Sequence, residues 1–320
     1  VPAPQAGEAV TGPEPDERAV RERVARWEPE RVRAVSLAIV DNPAPLFDIE
    51  AAAACNLSCR FCPRDALARP QRIMTPETFA AVERFLPAGA VVMFAGLGEP
   101  LVNPHLPDFA ARLKRRGVSP CVITNGILMN RSRIAALIDA GIDQFQVSVH
   151  AIDRAAFRRL VPDIDVDRLV ANLRTLAELR PPGLRVRLNF VAGAENGGEL
   201  PAVRALAREL GFDLFVRAEH NRGGHLGGAN VLPHGCGIFA AVTFITAQGD
   251  VLSCVNDVAG RSRLGNVSEL LWEDVRVWKR KTIGSGDWFP ACSSCDDGYR
   301  WVLLDSGGLG QGEVSPSERA

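Results

Sequence analysis

The chain has 320 residues, of which 23% are charged, and its formal net charge is -1. A chain of this length can bury a sizeable core, so its size is compatible with an enzyme. Without an excess of basic residues there is no broad positive field to attract nucleic acid or an anionic membrane, and a small molecule becomes the expected partner.

The N-terminal sequence indicates neither export nor membrane insertion. Residues 1–20 lack the basic and apolar regions of a signal peptide, and no apolar run reaches the roughly 18 residues of a membrane span. We therefore expect a cytoplasmic protein. Because disulfides rarely persist in a reducing compartment, the eight cysteines are expected to be metal ligands or catalytic thiols.

The first segment, residues 1–45, combines proline-rich ends with a middle rich in arginine and glutamate. The stretch "DERAVRERVARWEPERVRAV" predicts an amphipathic helix, with Val20, Val24 and Trp27 as its apolar stripe. We expect this N-terminal helical arm to pack on the outside of the core.

From residue 46 to residue 230, short apolar runs alternate with helical patterns. Strands are predicted at "LFDIEAA", "AVVMFAG", "SPCVITNG", "QFQVSVH", "LRVRLNFVAG" and "DLFVRAE". Helices are predicted between them, near residues 76–86, 105–116, 131–140, 167–180 and 199–210. Strands separated by helices pair in parallel through right-handed crossovers. The predicted fold is α/β, a partial (β/α)6 TIM-like barrel with its chemistry at the carboxyl ends of the strands.

Beyond a domain boundary that we predict near residue 230, the pattern changes. Residues 231–303 contain an apparent hairpin around Gln248-Gly249-Asp250, a helix near 268–281 and a short loop with cysteines. These features predict a second, small α+β domain. Residues 304–320 are rich in glycine and serine, and we expect them to form a flexible tail.

Three cysteines stand close together in "CNLSCRFC", at Cys55, Cys59 and Cys62. The first strand is predicted to end near Ala53, so the cysteines follow it in a loop at the carboxyl edge of the sheet. Thiolates at this spacing can converge on one soft metal centre, and thiolates are the usual ligands of iron–sulfur clusters. A zinc site would need a fourth ligand, but the nearest histidine in the sequence, His105, lies well beyond the loop. Three buried cysteines without a metal are the remaining alternative.

This cysteine spacing, with Phe61 just before the last cysteine, resembles the cluster motif of the radical S-adenosylmethionine (SAM) superfamily. The resemblance implies a [4Fe-4S] cluster on Cys55, Cys59 and Cys62, whose open iron binds the amino and carboxylate groups of SAM. It also implies that reductive cleavage of SAM yields a 5′-deoxyadenosyl radical, which abstracts hydrogen from the substrate. An external electron donor such as flavodoxin or ferredoxin would then be a partner.

Segments at other predicted strand ends extend the resemblance over most of residues 46–230. The stretch "FAGLGEP" is similar to the Gly-Gly-Glu-Pro segment of the family, in which Gly98 and Glu99 would take the methionine amino group. Read alone, such a turn is an ordinary connection between a strand and a helix. The resemblance assigns cofactor binding to Phe61, Gly96, Gly98, Glu99, Pro100, Asn125, Ser148, Arg159 and Asn189.

One position departs from the family pattern. Relatives often carry Arg-Pro where this chain has Val161-Pro162. The arginine that would meet the methionine carboxylate is therefore Arg159 or its neighbour Arg158.

The four cysteines beyond residue 230 are Cys236, Cys254, Cys292 and Cys295, the complete ligand number of one cluster. A zinc ribbon is the alternative, because Cys-x2-Cys pairs also bind zinc. Their arrangement resembles the twitch domain, the shortened form of the SPASM domain, which holds one auxiliary [4Fe-4S] cluster. Their spacing is similar to that of antibiotic-biosynthesis dehydrogenases that oxidise a secondary alcohol of an aminocyclitol.

A cluster with all its ligands from protein has no open iron for substrate, so electron transfer is its expected role. Cluster potentials span roughly -700 to +450 mV, which leaves room to accept an electron from a substrate radical. The favoured reaction is oxidation of a secondary alcohol of an aminocyclitol, amino-sugar or related natural-product intermediate to a ketone. Membrane and nucleic acid are not expected partners.

Three other functions compete with this one. Radical epimerisation needs a hydrogen donor, and Cys121 is the one cysteine left without a ligand role. Since Cys121 is predicted at the start of the third strand, away from the carboxyl edge, a small buried residue is expected there. Modification of a ribosomal peptide is a second alternative, although the N-terminal arm is short for a peptide-binding domain. An iron–sulfur electron carrier is the third.

Candidate residues for substrate contact and proton transfer are His150, Glu219, His220 and Asp257. His150 follows Ser148 by two positions, so both should face the inside of the barrel. Glu219 and His220 end the sixth strand and could bind a cationic amino group or act as base. A structural histidine and a solvated loop are the corresponding alternatives. Asp257 is a candidate because it follows Cys254 closely.

Overall fold

The protein is described from a computed structural model, which covers residues 16–162, 164–226 and 235–307. The predicted boundary near residue 230 and most of the predicted tail lie outside these ranges.

Nine strands form one sheet in the described part of the chain. In chain order they are β1 (Leu46–Ile49), β2 (Val91–Phe94), β3 (Ser119–Thr124), β4 (Gln144–Ser148), β5 (Arg185–Ala192), β6 (Asp213–Ala218), β7 (Val242–Ile245), β8 (Asp250–Leu252) and β9 (Gly265–Asn266). Their order in the sheet is β6-β5-β4-β3-β2-β1-β7-β8-β9. Strands β1 to β6 are parallel neighbours in sequence order, which confirms the predicted partial barrel.

Helices alternate with the parallel strands as the sequence predicted. The helices of the described ranges are α1 (Glu17–Val24), α2 (Pro29–Val40), α3 (Pro76–Phe85), α4 (Leu106–Arg115), α5 (Arg131–Asp139), α6 (Arg154–Leu160), α7 (Val166–Leu179), α8 (Leu200–Leu210), α9 (Gly237–Ala241), α10 (Trp272–Ser285), α11 (Pro290–Ser293) and α12 (Tyr299–Asp305). Short α6 was not predicted, and α12 extends into the segment expected to be a tail. None of these helices is long and apolar enough to cross a bilayer.

The strands separate an apolar outer face from a polar inner face. Phe47, Phe94 and Phe145 are fully buried in the core that the strands share with the surrounding helices. The alternate side chains, such as Asp48 and Ser148, are only half-buried. Because successive side chains point to opposite faces of a strand, these alternate residues line the inside of the barrel.

The N-terminal arm differs from the single helix that the sequence predicted. It forms α1 and α2, and the break falls before Pro29, where Glu28 is extended with φ -64° and ψ 146°. Proline disfavours a helical residue before it, which explains the break. Val20 and Val24 are buried as predicted, in a second core that the arm shares with α9 and α12. The arm therefore packs on the C-terminal segment.

The C-terminal segment continues the barrel sheet. The predicted hairpin is present as the antiparallel pair β7 and β8. Strand β7 also pairs in parallel with β1, with Phe47 opposite Thr243, and Ile245 and Val251 belong to the barrel core. The C-terminal hairpin and the barrel strands therefore belong to one sheet. This continuity places β1, which precedes the three-cysteine loop, beside the hairpin that precedes Cys254.

Candidate active site

The three-cysteine loop leaves the carboxyl end of β1, as predicted. The loop is closed at its base, where Ala53 N donates to Arg72 O at 2.8 Å and Met74 N donates to Ala51 O at 2.9 Å. These hydrogen bonds hold both ends of the loop beside the strand. The cysteines between them are thereby confined to the mouth of the barrel.

All three thiols of the loop are free and half-buried. Burial raises the pKa of Cys55, and burial with the neighbouring thiols raises the pKa of Cys59 to about 12. The Arg64 guanidinium opposes both shifts, and its Nη2 donates to Leu57 O at 3.0 Å. Cys62 is the third sulfur donor of the loop. It lies near the other two thiols, since its charge helps to raise the pKa of both.

The chemistry of this donor set fits an iron–sulfur cluster. Within the described ranges no group of three or more His, Cys, Asp and Glu side chains converges on one ion position. The thiolates of a cluster bind different irons, so their sulfur atoms stand farther apart than the ligands of a single ion. Ligation would deprotonate these buried thiols. We therefore expect Cys55, Cys59 and Cys62 to hold a cluster.

Glu99 joins the carboxyl ends of β2 and β3. Its carboxylate is 1% exposed and accepts hydrogen bonds from Leu101 N at 2.9 Å, Thr124 Oγ1 at 2.8 Å and Asn125 N at 2.7 Å. Burial raises the pKa of Glu99, and the chain continues through buried Pro100. Because protein donors occupy the carboxylate, we expect backbone carbonyls of this turn, rather than the Glu99 side chain, to meet an ammonium group.

Gly98 allows the same turn to lie directly against the cysteine loop. A Cβ at this position would lie 2.0 Å from Ala52 O and 2.6 Å from Ala54 O, so only glycine fits. On the same turn, Leu97 O lies 3.9 Å from Cys62 Sγ. The Gly-Glu-Pro segment and the cysteine motif thus form one surface.

Asn125, one of the predicted cofactor residues, contacts the cysteine loop, and two others lie on the inner face of the barrel. Asn125 Nδ2 donates to Asn56 Oδ1 at 3.0 Å and lies 3.8 Å from Cys55 Sγ. Ser148 and Asn189 are register partners on β4 and β5, on the inner face. The Asn189 amide is hydrogen-bonded to polar side chains deeper in the barrel. Contact of these residues with SAM stays a prediction.

His150 contacts the aromatic residue of the cysteine motif. Its ring stands edge-on to Phe61, with centroids 4.9 Å apart. Burial and the charge of Arg222 lower the pKa of His150 to about 4, so the ring is neutral at pH 7. Val191 N donates to His150 Nδ1 at 3.3 Å, which places the ring proton on Nε2. His150 is therefore a hydrogen-bond donor, and the base role considered for it does not fit.

Arg158 and Arg159 are exposed on α6. Within the described ranges, neither side chain makes a hydrogen bond or an ion pair. The end of α6 itself touches the cysteine loop, since Arg60 N donates to Leu160 O at 3.1 Å. The helix is thus close to the site, while the two guanidinium groups extend into solvent.

Glu219 and His220 are neighbours in sequence with different surroundings. Glu219 is exposed at the end of β6, and its N donates to Ala192 O at 2.9 Å. His220 is 6% exposed, its Nδ1 accepts from Arg222 N at 3.3 Å, and its Nε2 lies 3.5 Å from Asp297 Oδ2. Burial lowers the pKa of His220 to about 3. Since both ring nitrogens are engaged, the predicted base role fits Glu219 and not His220.

Asp257 does not face a substrate space, contrary to the prediction. Its side chain is 3% exposed and accepts hydrogen bonds from Arg261 N at 3.2 Å, Ser262 N at 2.7 Å and Ser262 Oγ at 2.5 Å. Asp257 thus organises the turn that follows Cys254. Proximity to a cysteine in the sequence was a misleading signal here.

The four C-terminal cysteines line one cavity of about 190 Å³. All four thiols are free, and their charges act on one another. Burial raises the pKa of each, to about 12 for Cys236 and to about 11 for Cys292. The remaining lining is largely apolar and includes Phe239 and Trp288. Four sulfur donors around one enclosed space fit an auxiliary cluster.

Two polar groups in this cavity can donate hydrogen bonds to sulfur. Arg300 Nη1 donates to Cys295 O at 3.0 Å, and its positive charge acts on the cysteine thiols. Ser253 lines the same cavity, and its buried Oγ has no hydrogen-bond partner among the described residues. A hydroxyl and a guanidinium can both donate to thiolate or sulfide.

Sequence reasoning missed Glu50, which connects several parts of the site. Its side chain is 0% exposed and accepts from Arg69 Nη2 at 2.8 Å and Arg69 Nε at 3.1 Å. It also accepts from Leu97 N at 3.4 Å and Ala247 N at 3.3 Å, while Gly96 packs directly against it. Glu50 therefore links β1, the cysteine loop, the Gly-Glu-Pro turn and the C-terminal hairpin. The available signal was a lone carboxylate directly after a buried strand.

The chain combines a barrel of parallel strands with three cysteines directly after the first strand. This combination is typical of proteins that bind an iron–sulfur cluster at the barrel mouth. Residues 49–204 match the sequence profile of the Radical SAM superfamily. This part of the chain is a radical SAM domain, and the family uses SAM and a [4Fe-4S] cluster.

Individual relatives resemble parts of the chain or its fold. GTP 3',8-cyclase of Chlorobaculum tepidum is 33% identical over 174 residues, which are 53% of this chain and 51% of the cyclase. The crystal structure of BtrN in complex with AdoMet and 2-DOIA is similar in fold, with a TM-score of 0.55, 20% identity, and coverage of 80% of this chain and 94% of BtrN. SuiB of Streptococcus suis bound to precursor peptide SuiA gives a TM-score of 0.61 at 15% identity and covers 82% of this chain and 70% of SuiB. The chain spans about half the length of the curated relative.

Proposed function

We propose that this protein is a radical SAM dehydrogenase that oxidises a secondary alcohol of an aminocyclitol or amino-sugar to a ketone. The observation that carries the proposal is the set of four cysteines around one cavity. One of them, Cys254, directly follows the hairpin whose first strand pairs with the first barrel strand. An auxiliary cluster at this place would lie close to the barrel mouth, because the turn after β6 is hydrogen-bonded to the loop of the last two cysteines, with Asn221 Nδ2 donating to Ser294 O at 2.6 Å. A fully ligated cluster in this position is suited to accept an electron.

The reaction determines what must leave the substrate. Oxidation of an alcohol to a ketone removes one hydrogen atom from carbon, one proton from oxygen and one electron. When bound, SAM and its cluster supply a 5′-deoxyadenosyl radical for the hydrogen atom, and an auxiliary cluster supplies an acceptor for the electron. An external donor such as flavodoxin or ferredoxin provides the initial reduction.

The chain's own residues would handle the proton and the orientation of the substrate. The exposed carboxylate of Glu219 makes no hydrogen bond or ion pair within the described ranges, so it is available to accept the hydroxyl proton or to bind an ammonium group. His150 presents Nε2–H beside Phe61 and would donate a hydrogen bond to a substrate oxygen. The two groups have complementary roles.

The similarity to BtrN, an aminocyclitol dehydrogenase, supports the proposal at the level of fold. Other similar proteins are a GTP cyclase and a protein bound to a precursor peptide, so fold alone selects no reaction. Epimerisation is the alternative with the nearest chemistry. It is disfavoured because Cys121 is 1% exposed and paired beside Met93 and Gln144, in the lower part of the barrel.

The experiment that tests the proposal is anaerobic reconstitution followed by reaction with a panel of aminocyclitols and amino-sugars in deuterated water. Formation of 5′-deoxyadenosine together with a ketone is the expected result. A deuterium atom retained at a substrate carbon would instead support epimerisation. Absence of 5′-deoxyadenosine with every member of the panel, and also without substrate, would contradict the enzyme assignment.

A further inference from the structure

Lys279, on α10, is a lysine in the apolar interior of the protein. Its side chain is 1% exposed, and its Nζ donates to Val242 O at 3.0 Å and to Ala240 O at 3.3 Å. These carbonyl groups belong to the first residue of β7 and to the last turn of α9. The buried ammonium group therefore joins α9, β7 and α10 at one point.

The groups that contact this ammonium are neutral. Within the described ranges it forms no ion pair with a carboxylate, and the nearby rings of Trp272 and Phe239 have their centroids 5.9 and 6.0 Å from Nζ. Burial lowers the pKa of Lys279 to about 7, and the thiolate charge of Cys236 opposes this shift. Two carbonyl groups offset only part of the cost of removing a cation from water. The described residues thus leave the cation without a counter-charge.

Phe239 belongs both to the surroundings of the ammonium and to the wall of the cysteine cavity. Its backbone N donates to Cys236 Sγ at 3.4 Å. Its ring packs edge-on against Trp278 and Trp288, with centroid distances of 5.2 and 5.6 Å. Little water can screen a charge in such apolar surroundings, so the ammonium acts on the cavity through a medium of low dielectric.

A centre bound by four thiolates would supply the missing counter-charge. The negative charge of four thiolates exceeds the positive charge of the iron–sulfur core in the oxidised state, and reduction adds an electron. This negative charge would also keep the Lys279 ammonium protonated at neutral pH. Because net charge and surroundings set the potential of such a centre, a fixed cation nearby favours the reduced form.

We propose that Lys279 is the counter-cation of the auxiliary cluster and makes reduction of that cluster more favourable. The two carbonyl contacts hold the ammonium in place, and its charge acts on the cavity from the side of Phe239. The proposal rests on the auxiliary cluster that the proposed function invokes, and not on the identity of the product.

The test is a redox titration of the auxiliary cluster, followed by EPR in a Cys59→Ala background so that the signal of the loop cluster is absent. Lys279→Met keeps an apolar chain of similar length and removes the charge. It should lower the equilibrium constant for reduction about tenfold, which is about 59 mV for a one-electron couple. Lys281→Met, on the exposed side of the same helix, is the matched control and should leave the potential unchanged.

Lys279→Gln separates the charge from the two contacts. Glutamine is neutral but can still donate a hydrogen bond to Ala240 O or Val242 O, so it also carries the test if Lys279→Met does not fold. The potential of Lys279→Gln should be as negative as that of Lys279→Met. The proposal is overturned if either variant binds about four irons per chain and keeps the potential of the unaltered protein. It is also overturned if neither variant folds, because the ammonium would then serve the fold.

The outcomes distinguish this proposal from the proposed function. A shifted potential without ketone formation in the unaltered protein would support the role of Lys279 and contradict the dehydrogenase. An unchanged potential together with ketone formation would contradict only the role of Lys279. If the Cys59→Ala background binds no iron at its C-terminal cysteines, both proposals are refuted.

Discussion

Replacing Glu50 with glutamine should destabilise the protein by about 3 kcal/mol. The carboxylate is fully buried and receives four hydrogen bonds, two of them from Arg69. Glutamine keeps one acceptor oxygen, so its NH2 group would face Arg69 Nε and Ala247 N, which are both donors. Breaking a buried ion pair on one side costs about 3–5 kcal/mol. The lower value applies because the Arg69 side chain is 12% exposed and retains some hydration.

Urea unfolding of the reduced, metal-free protein, followed by circular dichroism, measures this loss. Glu83→Gln is the matched control, because Glu83 pairs with Arg112 where both side chains are 21% exposed, and a loss below about 1 kcal/mol is expected there. Since Arg69 anchors the end of the cysteine loop, Glu50→Gln should also retain less iron after reconstitution. If Glu50→Gln and Glu83→Gln unfold at the same urea concentration, the role assigned to Glu50 is refuted.

Three further predictions concern charges and a thiol inside the protein. Arg300→Met should make the midpoint potential of the auxiliary cluster more negative, because a cation beside the cluster ligands favours the reduced state. A redox titration followed by EPR measures the potential, and Arg276→Met is the surface control. Burial raises the pKa of Asp48 to about 7, so ionised Asp48 lowers the free energy of unfolding. This loss of stability is absent near pH 4, grows as the pH rises to 7 and is constant above pH 7. Asp48→Asn should therefore stabilise by about 2 kcal/mol at pH 8 and by almost nothing at pH 4, in urea titrations at each pH. Cys121→Ala should leave iron content and turnover unchanged, whereas lost turnover at full iron content would make Cys121 a hydrogen donor.

Local patterns predicted the features of the fold that depend on neighbouring residues. The spacing of Cys55, Cys59 and Cys62 is a property of eight consecutive residues, so the structure had only to place them on a loop. The alternation of strands and helices likewise determined the order of the six parallel strands, because chain order and sheet order coincide there. The break before Pro29 was readable from the same kind of signal and was overlooked.

Long-range pairing was not predictable in this way. Strand β7 reads as half of a local hairpin, and nothing in residues 242–245 indicates that its other edge pairs with β1. The continuous sheet follows from packing between segments that lie almost 200 positions apart in the sequence. Such a contact leaves no periodic trace in either segment.

Polar side chains were predicted to the correct region but often to the wrong role. His220 and Asp257 lie near the cysteine regions as expected, yet the polar atoms of both side chains already contact other protein groups. Sequence gives the position of a side chain and not the identity of its partner. Glu50 shows the converse, since its importance comes from a buried ion pair with Arg69, which has no sequence motif.

The most direct test of the central claim compares Cys295→Ala with the unaltered protein after anaerobic reconstitution. Two clusters correspond to about eight irons per chain, and loss of the auxiliary cluster should leave about four. We predict that Cys295→Ala keeps SAM-dependent formation of 5′-deoxyadenosine but forms no ketone from the aminocyclitol or amino-sugar that the unaltered protein oxidises. A variant that retains about eight irons, or that still forms the ketone at the original rate, would contradict the two-cluster account.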